Sequence, residues 1–244
     1  MSVAPDQITA VVLAGGFGTR IKHLLGELPK PMAPVAGKPF VEWVARYLAR
    51  QGIRRAVLST GYLAETVEKH FQSQPVENLH VSCVPETRPL GTAGGFLNAL
   101  RHETEKPAGW LVLNGDSLVL APLSEMFGAL GDPQRDGAIL GVRVPDAARF
   151  GSIAQDAAGN LASFLEKRPG AGVVNAGVYL FRDSALKLFP ACEPLSFERE
   201  VFPELLLRKT RLKVCVTDAP FLDIGTPESL PQAETFIRRN ADWF

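Results

Sequence analysis

The chain has 244 residues, 46% of them hydrophobic, which is enough for one large core or two small ones. Its 26 basic and 26 acidic residues give a formal net charge of zero, which argues against a nucleic-acid-binding protein. No apolar run approaches the length of a membrane span, and the N-terminal residues lack the pattern of a signal peptide. The three cysteines are few and far apart, as expected for free thiols in a reducing compartment. The composition therefore predicts a soluble, cytoplasmic protein that binds neither nucleic acid nor membrane.

The first strong signal is a glycine-rich segment that follows an apolar, β-branched run. Residues 8–13 predict a buried strand, and Ala14-Gly15-Gly16-Phe17-Gly18-Thr19-Arg20 comes directly after it. Glycines allow backbone N–H groups to approach a ligand closely, and arrays of such groups bind phosphate. Arg20 and Lys30 add positive charge nearby. The segment therefore predicts binding of nucleotide phosphates.

Two familiar glycine motifs do not fit this segment. A dinucleotide-binding motif needs a third glycine where Ile21 stands, and an acidic residue after the second strand, which instead ends in Thr60-Gly61. A P-loop needs Gly-Lys followed by Ser or Thr, whereas Gly37-Lys38 precedes Pro39. A tight turn without a ligand stays open when the glycines are considered alone.

The first half of the chain alternates strands and helices. Helices are predicted over residues 40–48 and 64–71, and strands over 56–59 and 79–84. This β-α-β-α-β order predicts a parallel, doubly wound sheet, in which ligands bind beyond the carboxyl ends of the strands. Thr92 is placed to cap a further helix that continues to Leu100.

The second half is more varied. A helix over 122–130 and a strand over 137–144 are followed by a predicted hairpin of residues 152–155 and 161–165. A strand over 174–181 comes next, and then a helix over 197–207 whose glutamates predict a solvated face. A strand over 211–217 precedes a terminal helix that ends near Arg239. The hairpin interrupts the alternation of strands and helices that is typical of a parallel sheet, and it predicts a substrate-binding subdomain.

Two aspartates are candidates for a metal site. Asp116 follows the apolar strand of residues 110–113, where a carboxylate can hold Mg²⁺, although a solvated turn is the alternative. Asp223 stands between Leu222 and Ile224, and a carboxylate with apolar neighbours is costly unless it is paired or bound to a metal.

The motifs together resemble those of the sugar-1-phosphate nucleotidyltransferases. The resemblance covers nearly the whole chain and includes Gly15 to Arg20, Pro29-Lys30-Pro31, residues 89–95 (P-L-G-T-A-G-G) and residues 223–227 (D-I-G-T-P). It implies an α/β fold of three layers (α/β/α) with a doubly wound, mainly parallel, Rossmann-like or GT-A-like sheet and a small β subdomain. It also implies one domain over 1–244, divided into a nucleotide-binding part (about 1–145), a sugar-binding part (about 146–225) and a terminal helix (226–244).

The resemblance also implies roles for individual residues. The catalytic residues would be Arg20, Lys30, Asp116, Lys167 and Asp223, with Mg²⁺ held by Asp116 and Asp223. The nucleotide would be bound by Leu13, Ala14, Gly15, Gly16, Gly18, Thr19, Arg20, Glu86, Gly91, Thr92, Asn114 and Gly115. The sugar would be bound by Gly151, Glu166, Lys167 and Asn175, although the proline that usually follows the Glu-Lys pair is displaced by Arg168.

The implied reaction joins GTP, or another NTP, to a sugar 1-phosphate and releases pyrophosphate. Within the family, residues 14–20 and 28–40 most resemble bacterial guanylyltransferases that act on D-glycero-D-manno-heptose 1-phosphate. Those enzymes supply surface polysaccharide such as lipopolysaccharide or capsule. A hexose 1-phosphate such as mannose 1-phosphate, another nucleobase and a homodimer stay open. Outside the class, a regulatory protein that binds nucleotide sugars is one alternative. A glycosyltransferase is another, although its usual Asp-x-Asp is replaced by Asn114-Gly115-Asp116.

Overall fold

The structure is a computed structural model, which describes residues 2–16, 18, 20–165 and 169–244. Its strands are β1 (Ile8–Ala14), β2 (Pro34–Val35), β3 (Lys38–Pro39), β4 (Arg55–Thr60), β5 (His80–Pro85), β6 (Gly109–Asn114), β7 (Ser117–Val119), β8 (Gly137–Val144), β9 (Ser152–Gln155), β10 (Leu161–Leu165), β11 (Gly172–Phe181), β12 (Leu212–Thr217) and β13 (Phe221–Asp223). Its α-helices are α1 (Lys22–Leu25), α2 (Phe40–Arg50), α3 (Ala64–Ser73), α4 (Thr92–Leu100), α5 (Ser124–Ala129), α6 (Asp183–Leu186), α7 (Phe202–Leu207) and α8 (Gln232–Arg239). None of the described helices is long and apolar enough to cross a membrane.

A mixed sheet organises the fold. Among the described residues nine strands form it, with β10-β9-β11-β6-β1-β4-β5 in order and β8 joining β11 to β12. The pairs β6–β1, β1–β4, β4–β5 and β8–β12 are parallel, whereas β11 runs antiparallel to its neighbours. The carboxyl ends of β1, β4, β5 and β6 therefore meet at one edge of the sheet, where ligands bind in doubly wound folds.

Helices cover both faces of the sheet because the strand residues alternate in direction. Val12 of β1 packs with apolar residues of α2, α3, α5 and α8, whereas Val11 packs on the opposite face with residues of α4 and α7. That second face is rich in aromatic rings, and Phe181 and Phe197 stack there with their ring centroids 5.8 Å apart. The predicted three-layer α/β/α fold is confirmed.

A buried carboxylate joins two of these helices. Glu42 of α2 is 2% exposed and accepts from Lys38 Nζ at 2.7 Å, Arg46 Nε at 2.8 Å and His70 Nε2 of α3 at 2.8 Å. Burial alone would raise the pKa of Glu42, but the three donors outweigh it and lower this pKa. The ionised carboxylate therefore holds α3 against α2.

The predicted hairpin of β9 and β10 forms and extends the main sheet. It joins β11 through the pairing of Val174 with Ser152. The proposed division into nucleotide and sugar parts consequently lies within one continuous sheet, and it stays a prediction.

Two predicted helices begin differently from what the sequence pattern suggested. The helix expected over 197–207 begins as a π-helical turn, Phe197–Val201, capped by the Ser196 hydroxyl. Pro203 has no N–H to donate, so the regular α-helical hydrogen bonding starts late. The terminal segment first makes a turn at Thr226, whose carbonyl accepts from Leu230 N, and α8 follows.

Candidate active site

A cavity of about 310 Å³ opens at the carboxyl ends of β1 and β6. It is lined by residues of the glycine segment, of the segment between β5 and α4, and of the turn after β6. The lining residues that the sequence predicted to bind a nucleotide are Leu13, Ala14, Gly15, Gly16, Glu86, Gly91, Thr92, Asn114 and Gly115. The structure thus brings together residues from three separate stretches of the chain. Their role in binding stays a prediction.

The Glu86 carboxylate is held at one wall of this cavity. Its Oε1 accepts from Ser59 Oγ at 2.9 Å, and its Oε2 accepts from Leu90 N at 3.3 Å. A Cβ placed on Gly15 or Gly95 would collide with Oε1, so both glycines are needed for the close approach of this side chain. An ionised carboxylate offers about four acceptor positions, so these two donors leave acceptor capacity on each oxygen.

The glycine segment also packs against Lys30. Gly18 has a φ of +58°, and a Cβ there would lie 2.7 Å from Lys30 Cβ. The left-handed backbone and this contact both require glycine. Arg20 is exposed, does not line the cavity and has no ion-pair partner among the described residues. Thr19, predicted to bind the nucleotide, lies outside the described residues.

Lys30 and Asp116 line the other wall of the cavity, and Asp223 lies beside them. Lys30 Nζ, whose side chain is 12% exposed, contacts Asp116 Oδ2 directly. The backbone brings Asp223 to the same place, because β13 pairs with β7 and Ile224 N donates to Asp116 O at 2.9 Å. Asp223 Oδ1 accepts from Gly225 N at 2.7 Å. When both carboxylates are ionised, these three side chains together carry a net negative charge.

The environment of Asp223 disfavours its ionised form. Burial raises its pKa, and the negative charge of Asp116 raises it further. The hydrogen bond from Gly225 and the charges of Lys30 and Arg149 act in the opposite direction without cancelling this rise. Fold stability therefore does not account for an ionised group at this position, whereas attraction of a cation would.

The donor set fits Mg²⁺. This ion prefers oxygen ligands and is commonly held by one or two carboxylates together with substrate phosphates. Asp116 and Asp223 supply the two carboxylates beside a cavity open to a ligand, and Lys30 already shows that the place attracts positive charge. Among the described residues no group of three or more His, Cys, Asp or Glu side chains could hold a metal ion, so this candidate site offers two carboxylates only.

The sugar-site residues are described only in part. Asn175 N donates to Gly151 O at 2.8 Å, so the structure brings these two predicted residues together. The pairing of β11 with β8 is interrupted after Asn175, where Gly177 has a φ of +71° and Gly177 N donates to Asn175 Oδ1 at 3.0 Å. Glu166 and Lys167 lie outside the described residues.

A polar network that the sequence did not indicate connects the two halves of the site. Glu198 accepts from Tyr179 Oη at 3.2 Å, from Ser196 Oγ at 2.9 Å and from Thr92 Oγ1 at 3.3 Å. The buried Tyr179 in turn accepts from Asn175 Nδ2 at 2.7 Å, and its pKa is raised by burial and by Glu198. The prediction of a solvated face was therefore wrong for Glu198. The available signal was its position directly after the aromatic residue Phe197, which is buried.

Thr92 does not cap α4 as predicted. The residue preceding the helix is Gly91, and the Thr92 hydroxyl accepts from Phe197 N at 2.9 Å instead. The carbonyl of Leu195 accepts from Ala93 N and Gly94 N at the start of α4. A distant segment thus satisfies the N-terminal donors of the helix, which no local pattern could indicate.

Comparison with known proteins identifies the family. The chain matches the nucleotidyl transferase family over residues 9–240. It belongs to this family. It is 36% identical over 246 residues to mannose-1-phosphate guanylyltransferase of Mycobacterium tuberculosis, a match that covers 98% of this chain and 66% of that protein. It is 33% identical to D-glycero-alpha-D-manno-heptose 1-phosphate guanylyltransferase of Aneurinibacillus thermoaerophilus, over 92% of this chain and 96% of that protein.

Solved structures of this nucleotidyl transferase family agree with the fold. HddC from Yersinia pseudotuberculosis superposes with a TM-score of 0.82 at 33% identity and covers 93% of this chain and 98% of its own. The same protein complexed with GMP-PN superposes with a TM-score of 0.80. The predicted resemblance to the family is thereby confirmed.

Proposed function

We propose that the protein is a guanylyltransferase that converts GTP and a sugar 1-phosphate to a GDP-sugar and pyrophosphate. The observation that carries the proposal is the single cavity that joins the glycine segment, the fixed Glu86 carboxylate and the Lys30–Asp116 pair. One wall suits a nucleobase, the glycines suit phosphates, and the charged wall suits the reacting phosphates. The family and the names of its similar members support the same reaction class.

The base assignment follows from the hydrogen-bonding chemistry of Glu86. Guanine presents two adjacent donors, N1–H and the exocyclic N2–H₂, to a carboxylate. Adenine and cytosine place an acceptor next to their donor, and uracil and thymine place carbonyls on both sides of theirs. A carboxylate with one free acceptor position on each oxygen therefore favours guanine.

The proposed reaction is a direct displacement that needs no covalent enzyme intermediate. An oxygen of the sugar phosphate attacks the α-phosphorus in line and forms a new P–O bond. The bond from the α-phosphorus to the bridging oxygen breaks, and pyrophosphate leaves with the electron pair. Catalysis then consists of positioning and of neutralising charge.

Separate groups of residues would bind the two substrates and neutralise the charge on their phosphates. Lys30 neutralises charge that develops on the phosphates, and Arg20 is proposed to join it at the leaving pyrophosphate. Asp116 and Asp223 would hold Mg²⁺, which neutralises phosphate charge when bound. Lys167 and Glu166, with Gly151 and Asn175, are proposed to bind the sugar phosphate from the part of the chain over about 146–225. Such a reaction would take place in the cytoplasm, where its substrates are made.

Two sugars are supported by the comparisons. D-glycero-alpha-D-manno-heptose 1-phosphate is our first choice, in line with the relative from Aneurinibacillus thermoaerophilus, and the product would supply surface polysaccharide. Mannose 1-phosphate is the second, because the relative from Mycobacterium tuberculosis shows 36% identity. A homodimer stays a prediction.

Pyrophosphate release with a matrix of nucleoside triphosphates and sugar 1-phosphates tests the proposal. Release with GTP and heptose 1-phosphate, lost on chelation of Mg²⁺, is the expected result. Release with GTP and mannose 1-phosphate alone would select the second sugar, and a preference for UTP or dTTP would refute the base assignment. Binding of GTP without release for any pair would refute catalysis and favour a regulatory role.

A further inference from the structure

Ser59, at the carboxyl end of β4, is fully buried and carries a hydroxyl that faces Glu86. Its side chain is 0% exposed, and it lines neither the 310 Å³ cavity nor the neighbouring one of about 220 Å³. Ser59 Oγ lies 2.9 Å from Glu86 Oε1 and 3.1 Å from the carbonyl oxygen of Gly95. It therefore cannot touch a nucleotide and can act on one only through Glu86.

The hydroxyl has one proton and two acceptors within reach. A hydrogen bond to an ionised acceptor is roughly twice as strong as one between neutral groups, so the proton goes to Glu86 in preference to Gly95. Leu90 N holds the second carboxylate oxygen at 3.3 Å. One donor on each oxygen fixes the plane of the carboxylate and leaves one acceptor position on each for a ligand.

We propose that Ser59 is a positioning residue that sets nucleobase selectivity by orienting the Glu86 carboxylate toward both donors of guanine. The inference rests on the proposed function, because it takes Glu86 to bind the base. Without the Ser59 proton the carboxylate keeps only the bond from Leu90 N and can rotate, so that one of the two contacts with guanine weakens. The contact with the exocyclic amino group is the one that distinguishes guanine from hypoxanthine.

The test compares GTP with ITP, whose base is guanine without the 2-amino group. The wild-type protein is expected to prefer GTP in kcat/KM, and Ser59→Ala is expected to reduce the GTP/ITP ratio about 3–10-fold, the worth of one hydrogen bond. The KM for the sugar phosphate should not change. Calorimetric Kd values for GTP and ITP, measured without sugar phosphate, give the same ratio independently of turnover.

Thr60→Val is the matched control. Thr60 is the next residue of β4, is 1% exposed, and its Oγ1 has no hydrogen-bond partner among the described residues. The control removes a buried hydroxyl from the same strand without touching the carboxylate, so its GTP/ITP ratio should equal that of the wild type. Ser59→Thr, which keeps the hydroxyl, should retain most of the selectivity. If Ser59→Ala does not fold, Ser59→Cys supplies a weak donor of similar size, and its ratio should also fall.

The outcomes separate the two proposals. A large wild-type ratio that stays within twofold in Ser59→Ala, while the unfolding temperature drops, would mean that Ser59 is only structural, and it would overturn this inference alone. A wild-type ratio near one in both kinetics and calorimetry would overturn the assignment of Glu86 and this inference together. An absence of turnover with a ratio that still falls in Ser59→Ala would refute the proposed reaction and support the inference.

Discussion

Replacement of Asp223 by asparagine is expected to separate catalysis from stability. The amide is nearly isosteric, and its oxygen can still accept from Gly225 N, as Asp223 Oδ1 does at 2.7 Å. The backbone pairing of β13 with β7 and the contact of Lys30 with Asp116 do not involve the altered group. The substitution therefore removes one negative charge and leaves the local geometry in place.

The loss of activity should be large. Removal of one preorganised electrostatic group from an active site typically lowers kcat by about 10²–10³-fold, and the concentration of Mg²⁺ needed for half-maximal rate should rise as well. Pyrophosphate release under saturating substrates, measured across a titration of Mg²⁺, gives both quantities.

The stability of Asp223→Asn, unlike its activity, should not fall and is expected to rise at neutral pH. Burial and the charge of Asp116 raise the pKa of Asp223 above the ordinary value of 3.8, so folding disfavours the ionised carboxylate. Because the folded state holds the proton more tightly, this group's contribution to stability falls as pH rises through the window above 3.8. Asp223→Asn has no titrating carboxyl group at this position and so does not lose stability in this pH window. Its unfolding temperature should therefore equal or exceed that of the wild type at pH 7. The difference should shrink toward pH 4. Each kcal/mol corresponds to roughly 2–4 °C in a domain of this size.

Asp242→Asn is the control, since Asp242 is exposed and does not line the cavity. It should change neither turnover nor the unfolding temperature at any pH. Near-normal turnover in Asp223→Asn would refute the role of this carboxylate, and an unfolding temperature below that of the wild type at pH 7 would refute the electrostatic argument.

Glu42→Gln should lower the free energy of unfolding by about 2 kcal/mol, the worth of a charged hydrogen bond. Because the pKa of Glu42 is lowered, the deficit in denaturant melts should be full at pH 7 and shrink as pH falls below 4.5; a constant deficit would contradict this. Gly95→Ala places a methyl against the proposed base-binding carboxylate and should raise the KM for GTP about tenfold. Gly128→Ala, in open space on α5, should leave that KM unchanged and stabilise the protein by about 0.5–1 kcal/mol; equal KM values in the two variants would refute the steric argument. Glu198→Gln should raise the KM for the sugar phosphate about 2–10-fold, because it weakens the hydrogen bond from Tyr179. Glu204→Gln, whose carboxylate pairs with Arg208 outside this network, should leave that KM unchanged. Equal KM values in the two variants would refute a role for the network.

The fold could be predicted because local pattern and global architecture agree. The apolar, β-branched run before Gly15 is typical of a buried strand, and the spacing over 40–48 is typical of a helix. β1 and α2 form as expected. The late start of α7 was not predictable from periodicity. It depends on Pro203, whose effect on hydrogen bonding appears only in the context of the preceding turn.

Some residues of the candidate site could likewise be predicted from the sequence, and others could not. A carboxylate between apolar residues is costly unless it is paired, so Asp223 could be singled out from the sequence. Gly15 and Asp116 could be singled out because each follows an apolar strand at the edge where ligands bind, although a turn without a ligand was an alternative for both. Ser59 and Tyr179 could not, because a serine or a tyrosine in a buried strand is ordinary until the group that it contacts is known. Their roles depend on contacts with Glu86 and Glu198, which come from distant parts of the chain.

The small ladder between β7 and β13 has a consequence for synthesis of the chain. A ribosome completes Asp116 long before it reaches Asp223, and the two carboxylates meet only when Ile224 N bonds to Asp116 O. Until then Lys30 faces a single carboxylate and the acidic pair does not exist. A chain that ends before Asp223 lacks the second of the two carboxylates that are proposed to hold the cation. Under the proposed roles of Asp116 and Asp223, the acidic pair is completed only by β13, the last of the described strands in chain order.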